Sequence, residues 1–323
     1  MKNFIEDLKK ELSKRNIAPD AIDDIITDHE DMIKEALEDG LSEEDLVKRF
    51  GTPENIAETL ASEEEIVEQK DNQDEEKEVE KDQTFAYDLD QNEISIQIEL
   101  TNEDIVIKSS EKAKLIVDIE NADNLKDYVV EFHDHTLNIT RKKQNKIFSY
   151  FTSKAKNTNV VIHVPKDTLI KSLIDKHTNG DLELKQLKTR HISLNLVNGD
   201  IEMKDIISEG LKFHIVNGDI ELNNIKANTL YSSQVSGDLE ITNTVIDGDL
   251  EVRTVSGDIE LEEVTCDMFE VDSVSGDIDG KEFYPKMIRF KSISGDLDIK
   301  NKEKKEIKII KKSTLSGGIN IDL

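Results

Sequence analysis

The sequence predicts a mainly β protein: a right-handed, single-stranded β-solenoid (β-helix) of two-strand coils about 19 residues long, preceded by a small α-helical bundle. Three observations predict it. Gly-Asp pairs recur at Gly180-Asp181, Gly199-Asp200, Gly218-Asp219, Gly237-Asp238, Gly257-Asp258, Gly276-Asp277 and Gly295-Asp296, with spacings of 19, 19, 19, 20, 19 and 19. A fixed period near 20 marks a solenoid. From Phe85 onward, apolar residues alternate with polar ones, as in Ile94, Ile96 and Ile98, which is the strand period. Before that point the apolar spacing is helical.

The helical part is read over residues 1–66. Phe4, Ile5, Leu8 and Leu12 fall on one helix face. Pro19 opens a second helix with the stripe Ile22, Ile25, Ile26, His29, Met32, Ile33, Ala36 and Leu37, and Gly40 ends it. Ser42 with Asp45 makes a capping-box start for a third. Thr52-Pro53 begins a fourth, carrying Ile56, Ala57 and Leu60. Residues 67–84 are read as an acidic linker, because the run from Glu63 to Gln83 holds 11 acids against three bases. Such like charge extends a chain. Residues 85–323 are the β domain.

Around Gly218, the residues Leu211, Phe213 and Val216 before it and Ile220, Leu222 and Ile225 after it are read as inward. The turn glycines Gly180, Gly199, Gly218, Gly237, Gly257, Gly276 and Gly295 each follow Asn or Ser. Glycine supplies positive φ there, and a stacked Asn or Ser ladder is expected to satisfy turn backbone groups. The acids repeat with the coil. Asp181/Glu183, Asp200/Glu202, Asp219/Glu221, Asp238/Glu240, Asp258/Glu260, Asp277/Asp279 and Asp296/Asp298 each flank one inward residue and so point outward. In-register stacking turns them into two columns of carboxylates along one flank. The Asp after each Gly is read first as a turn cap. The sharper reading is a ladder that attracts a cationic peptide. Calcium needs six to eight oxygens, so this ladder offers it only weak, multivalent binding, and no cofactor is implied.

Charge and composition exclude several classes. The net charge is −29, which phosphate backbones repel, so nucleic acid is not expected as a partner. Cys266 is the single cysteine, so no internal disulfide framework exists. No apolar leader opens the sequence and no apolar run approaches the length of a membrane span. The expectation is a soluble, cytoplasmic protein, with a cell-surface or membrane-peripheral location as the alternative. The stretch 141–156 holds six bases and no acid, with Phe148, Tyr150 and Phe151 between them. It is read as an exposed loop, with a peripheral membrane contact as the second reading. His133 and His135 are read as sharing a strand face without making a metal site. No phosphate loop, nucleophile elbow or zinc-spaced Cys/His set is present in the sequence.

Glu38-Asp-Gly40, Leu41-Ser-Glu-Glu-Asp45 and Phe50-Gly-Thr-Pro-Glu-Asn-Ile-Ala57 resemble the HAAS domain of bacterial signalling proteins. The Val-Ser-Gly-Asp-Ile-Glu repeat over residues 85–323 is similar to a family of bacterial β-strand-repeat adhesin domains, which includes daptomycin-sensing surface proteins. The resemblance implies a link to cell-envelope stress. The sequence therefore reads as a non-enzymatic accessory protein of envelope-stress signalling, with residues 1–66 binding a protein partner and the solenoid acting as an acidic scaffold. The alternatives are a cell-surface adhesin and a polysaccharide-acting β-helix enzyme. The enzyme would need a localised acid/base pair, whereas these acids are spread evenly.

Overall fold

The computed structural model describes residues 2–15, 52, 54, 57, 81–122, 124–142 and 158–321. The chain divides into two compact units. One contains α1 (Lys2–Ser13), in which Leu12 is fully buried, as the spacing predicts. Glu11 pairs with Lys14 and Arg15 one turn on, at 2.5 and 2.9 Å. Of the remaining helices expected within residues 1–66, only Thr52, Glu54 and Ala57 are described; Glu54 and Ala57 are helical and Ala57 is buried, and residues 67–80 of the expected linker lie outside the described residues. The last linker residues are already strand: β1 (Gln83–Tyr87) includes Gln83 and Thr84.

The other unit is the solenoid. β8 (Leu169–Asn179) and β9 (Leu182–Lys185) form the first Gly-Asp coil. β10 (Lys188–Asn198), β11 (Ile201–Asn217), β12 (Ile220–Ser236), β13 (Leu239–Ile246), β14 (Asp249–Ser256), β15 (Ile259–Ser275), β16 (Ile278–Ser292) and β17 (Leu297–Lys300) continue it. β18 (Lys308–Ser313) and β19 (Ile319–Ile321) form the coil of the degenerate repeat. Every pairing among these strands is parallel. Leu182, Ile201, Ile220, Leu239, Ile259, Ile278 and Leu297 lie directly over one another. The stacking read from the 19-residue period is therefore present.

Two further rungs lie beneath the first Gly-Asp coil, and the repeat did not flag them. β2 (Glu93–Glu99) and β3 (Glu103–Ser110) pair in parallel with β8 and β9. β6 (Thr136–Arg141) and β7 (Thr158–Pro165) pair in parallel with β2 and β3. Beyond them the direction reverses. β4 (Leu115–Glu120) runs antiparallel to β7, β1 antiparallel to β4, and β5 (Tyr128–His133) antiparallel to β6. This end of the stack is thus finished by antiparallel strands. His133 and His135 do not share a strand face. Asp134 and His135 have φ of +47° and +59° and form the two-residue turn between β5 and β6, the positive-φ geometry that tight hairpins need. His133 contacts Asp134 and His135 contacts Asp90, both at 3.2 Å.

The six coils from Gly180 to Gly276 each turn twice in left-handed backbone. The first corner is the Gly-Asp turn. The second comes six residues later, at Gln186, Asp205, Asn224, Asn243, Glu263 and Glu282, all with φ between +50° and +57°. A short segment follows whose inward residues are Ile206 and Ser208 in one coil and Val264 and Cys266 in another. The one 20-residue coil places its extra residue after this segment, at the Asp247-Gly248 corner between β13 and β14. Inside, Leu211, Phe213, Ile220, Leu222 and Ile225 are buried as read from sequence. Val216 is not: it is 40% exposed, and Ile215 takes the inward place. The strand alternates strictly from Phe213 through Ile215, so Val216 must face out. Cys266 is a core residue, and burial, with the charges of Asp267 and Asp249, pushes its thiol up to about 12.

Candidate ligand-binding flank

The Gly-Asp corners build the flank. From Gly199 onward, each corner glycine lies on the corner glycine of the coil beneath it. A Cβ on Gly218 would sit 2.0 Å from the Gly199 carbonyl oxygen, and one on Gly237 equally close to that of Gly218. This approach places each Asp carboxylate under the next coil's backbone. The N–H of Asp200 donates to Oδ1 of Asp181, that of Asp219 to Asp200, that of Asp238 to Asp219, and so on to Asp296, at 2.7–3.0 Å. The ladder begins lower than the first Gly-Asp pair, because Asp104 accepts the N–H of Asp181 at 3.1 Å. The Asp column is therefore a column of inter-coil caps, and from Asp181 to Asp296 its side chains are exposed. The Asn ladder is also present, but its members bond each other rather than the turn backbone. Asn217 donates to Asn198, Asn198 to Asn179, and Asn179 to Asn102, at 2.6–2.9 Å.

One prediction follows from this geometry. Asp238→Ala removes the acceptor of the Asp258 N–H, which is held at 2.7 Å, and is expected to cost about 1–2 kcal/mol, whereas Asp238→Asn keeps an acceptor and costs less than about 1 kcal/mol. Urea denaturation of the two variants checks it. Equal losses would remove the capping role.

The second acidic column lies two residues on. Glu183, Glu202, Glu221, Glu240, Glu260, Asp279 and Asp298 occupy one register position on successive rungs, about 4.8 Å apart. Lys185 pairs with Glu183 and lies 3.9 Å from Glu202, and Lys300 pairs with Asp298 at 2.6 Å. Between these ends, Glu221, Glu240, Glu260 and Asp279 are exposed and no salt bridge reaches them among the described residues. The corner carboxylates Asp200, Asp219, Asp238, Asp258 and Asp277 are exposed and likewise free of basic partners. The structure thus brings together all the sequence-predicted acids as two columns, in the order expected.

A third column was missed at the sequence level. Val197, Val216, Val235, Val255, Val274 and Ile293, each two residues before a corner glycine, are 40–52% exposed, and Leu315 of the last coil is 87% exposed. Flanking register pairs place them over one another: Leu196 lies under Ile215 and Asn198 under Asn217, and the same holds coil after coil. The signal was available as the constant aliphatic residue of the Val-x-Gly-Asp motif. It was assigned to the core because two-residue periodicity cannot say by itself which set faces in.

Titratable chemistry also occurs inside the stack. Asp175 and His177 occupy inward positions of the first Gly-Asp coil, where the coil above has Leu194 and Leu196. Their side chains are fully buried and 2.7 Å apart, and the second ring nitrogen of His177 lies 2.7 Å from the Gly180 carbonyl oxygen. Oδ1 of Asp175 has no hydrogen-bond partner. Burial raises the Asp175 carboxyl. Burial acts to lower the His177 imidazole, but its hydrogen bond to Asp175, the Asp175 charge and the Gly180 carbonyl together hold it above its ordinary value. One rung down, buried Glu103 accepts from Tyr128 at 2.7 Å, Arg141 at 2.8 Å and the backbone N–H groups of Thr101 and Asn102 at 2.8 Å. These groups are sealed in the core and present nothing to a substrate.

Among the described residues, no group of three or more His, Cys, Asp or Glu side chains is placed to hold a metal ion, and no helix is long and apolar enough to cross a membrane. Of the basic stretch 141–156, Arg141 ends β6 and binds Glu103, and residues 143–156 lie outside the described residues.

The model of the Toastrack DUF4097 family matches residues 92–279 and 246–323, and that of the HAAS family matches residues 3–59. Among solved structures, a "putative lipid binding protein" of Parabacteroides distasonis is 17% identical, with a TM-score of 0.53, over 75% of this chain and 97% of that one. A "putative adhesin" of Bacteroides fragilis is 21% identical, with a TM-score of 0.44, over 75% and 97% of the two chains. Another from Parabacteroides distasonis is 14% identical, with a TM-score of 0.43, over 74% and 97%. The first shares the fold of this chain. No curated protein matches the sequence.

Proposed function

The chain belongs to the Toastrack DUF4097 family, and from that premise we propose that it is a non-enzymatic accessory protein of bacterial cell-envelope stress signalling. In this reading the solenoid is a rigid scaffold that presents its carboxylate columns to a cationic ligand, and the N-terminal region that matches HAAS binds a partner protein. The observation that carries the scaffold role is the run of exposed acids on in-register rungs that have no basic partners among the described residues. Like charges held about 4.8 Å apart repel by roughly 0.9 kcal/mol per pair even at the dielectric of water, and a polycation relieves that repulsion along the whole column. A localised acid/base pair, which carbohydrate chemistry requires, has no counterpart in a column repeated evenly over the coils.

The test is binding of oligolysine to the full chain across a salt series. Binding is expected to weaken steeply with salt. The quadruple change Glu202→Gln, Glu221→Gln, Glu240→Gln and Glu260→Gln is expected to weaken it at least tenfold. These side chains cap no backbone group, so the fold is retained. Salt-independent binding, or full binding by the quadruple variant, would end this reading.

A further inference from the structure

We infer that the exposed aliphatic column beside the acidic corners takes the apolar face of a basic amphipathic helix laid along the stack axis. The inference rests on the scaffold reading above and adds to it the shape and chemistry of the partner. Three observations carry it.

The first is the constancy of the column. A valine on an exposed strand face is common, since β-branched residues suit strands. The neighbouring outward position of the same strands, however, holds Asn195, His214, Ser233, Arg253, Asp272 and Lys291. Strand propensity acts on both positions alike. Only one of them stays aliphatic from Val197 to Ile293. A continuous apolar stripe on a solvent face is the usual mark of a contact site.

The second is the spacing. Rungs lie about 4.8 Å apart, and a helix advances about 5.4 Å per turn. A helix parallel to the stack therefore sets one apolar side chain per turn against one valine per rung. It drifts by about 3 Å over five turns, less than one rung. An extended strand repeats a side chain on the same face every 6.6 Å or so and drifts by more than a whole rung within three rungs. The column thus fits a helix of about 18 residues.

The third is charge. Past the Asn or Ser at the corner tip, each rung presents a corner carboxylate with no basic partner among the described residues, such as Asp219 or Asp238. The other side of the stripe already carries bases: Arg253 pairs with Glu251 at 2.7 Å, Lys291 lies 3.9 Å from Asp272, and Lys212 stands over the Tyr231 ring. Basic residues of the partner therefore belong on the corner side only. A second copy of this chain would bring its own excess of acids against that flank, so self-association is disfavoured.

The test uses the full chain and two probes: an 18-residue model helix with leucines on one face and lysines on the other, and oligolysine of equal charge. At physiological salt the helix is expected to bind at least tenfold tighter than oligolysine. The triple change Val235→Thr, Val255→Thr and Val274→Thr keeps β-branching at exposed sites and is expected to preserve the melting curve. It should weaken the helix about tenfold and leave oligolysine unchanged. If oligolysine binds and the helix binds no tighter, or if the triple variant binds the helix as well as the parent does, the inference falls while the charge reading stands. If the helix binds through the valines and oligolysine does not bind, the charge reading falls and the apolar site stands. If neither probe binds, both fall. A dimer that the triple change dissolves would assign the column to a second copy and overturn the inference.

Discussion

Gly237→Ala is expected to destabilise the solenoid by about 3–5 kcal/mol: strain in a backbone region almost reserved for glycine accounts for about 1–3, and weakened inter-coil hydrogen bonds for about 1 each. Gly237 has φ of +118°, and an added Cβ would stand 2.0 Å from the Gly218 carbonyl oxygen and 3.1 Å from Oδ1 of Asp219. The methyl group can be accommodated only by prising two coils apart. That movement stretches the Asp238 N–H bond to Asp219, now 2.8 Å. Gly210→Ala is the control. Gly210 has no left-handed φ, and its Cβ would meet its nearest neighbours at an unstrained 3.4 Å, so alanine there is expected to cost less than about 1 kcal/mol. Urea midpoints compare the two, and hydrogen exchange locates the damage. Because each coil touches only its neighbours, protection should fall first in β12 and β13. Equal stability of the two variants would show that the corners are not in contact.

His177→Leu is expected to cost about 3–5 kcal/mol, because it strands the Asp175 carboxylate in the core without its partner. The pair of changes Asp175→Leu and His177→Leu behaves differently. It copies the coil above, where Leu194 and Leu196 stand in register, and is expected to be neutral or stabilising. The pH dependence has a definite sign. The folded state holds the His177 proton more tightly than the unfolded chain does. The stabilisation is therefore full below the ordinary imidazole value of about 6.5 and is lost as pH rises through the raised folded value. The raised Asp175 carboxyl acts in the same direction. The parent should lose stability relative to the double-leucine variant as pH rises above about 6.5. A parent that matches it across that rise would show that the pair holds no proton.

Much of this was legible in the residues. The Gly-Asp period required coils of one length, and coils of one length can stack only in register, so the acids had to form columns. Glycine was readable at the corner because its freedom at positive φ has few substitutes. The second corner was not, because only Asp205, Asn224 and Asn243 are of a type that favours left-handed backbone, while Gln186, Glu263 and Glu282 are not. At the first of them the Gln186 N–H donates to the Lys204 carbonyl of the next coil at 2.9 Å. The lower rungs were hidden for a related reason. Asp104 continues the Asp ladder, but Glu103 stands where the other coils have glycine, so the motif is broken although the stacking is not.

By itself the sequence determined the period, the outward pairing of Asp with Glu and the acidity of the flank, since these depend only on spacing and side-chain type. Tertiary structure alone decided three things: that the Asp column caps the next coil's backbone, that the valines face solvent in place of Ile215 and its equivalents, and that an Asp-His pair lies in the core. Each depends on contacts between residues 19 or more positions apart, or on which of two alternating faces is covered, and local pattern specifies neither.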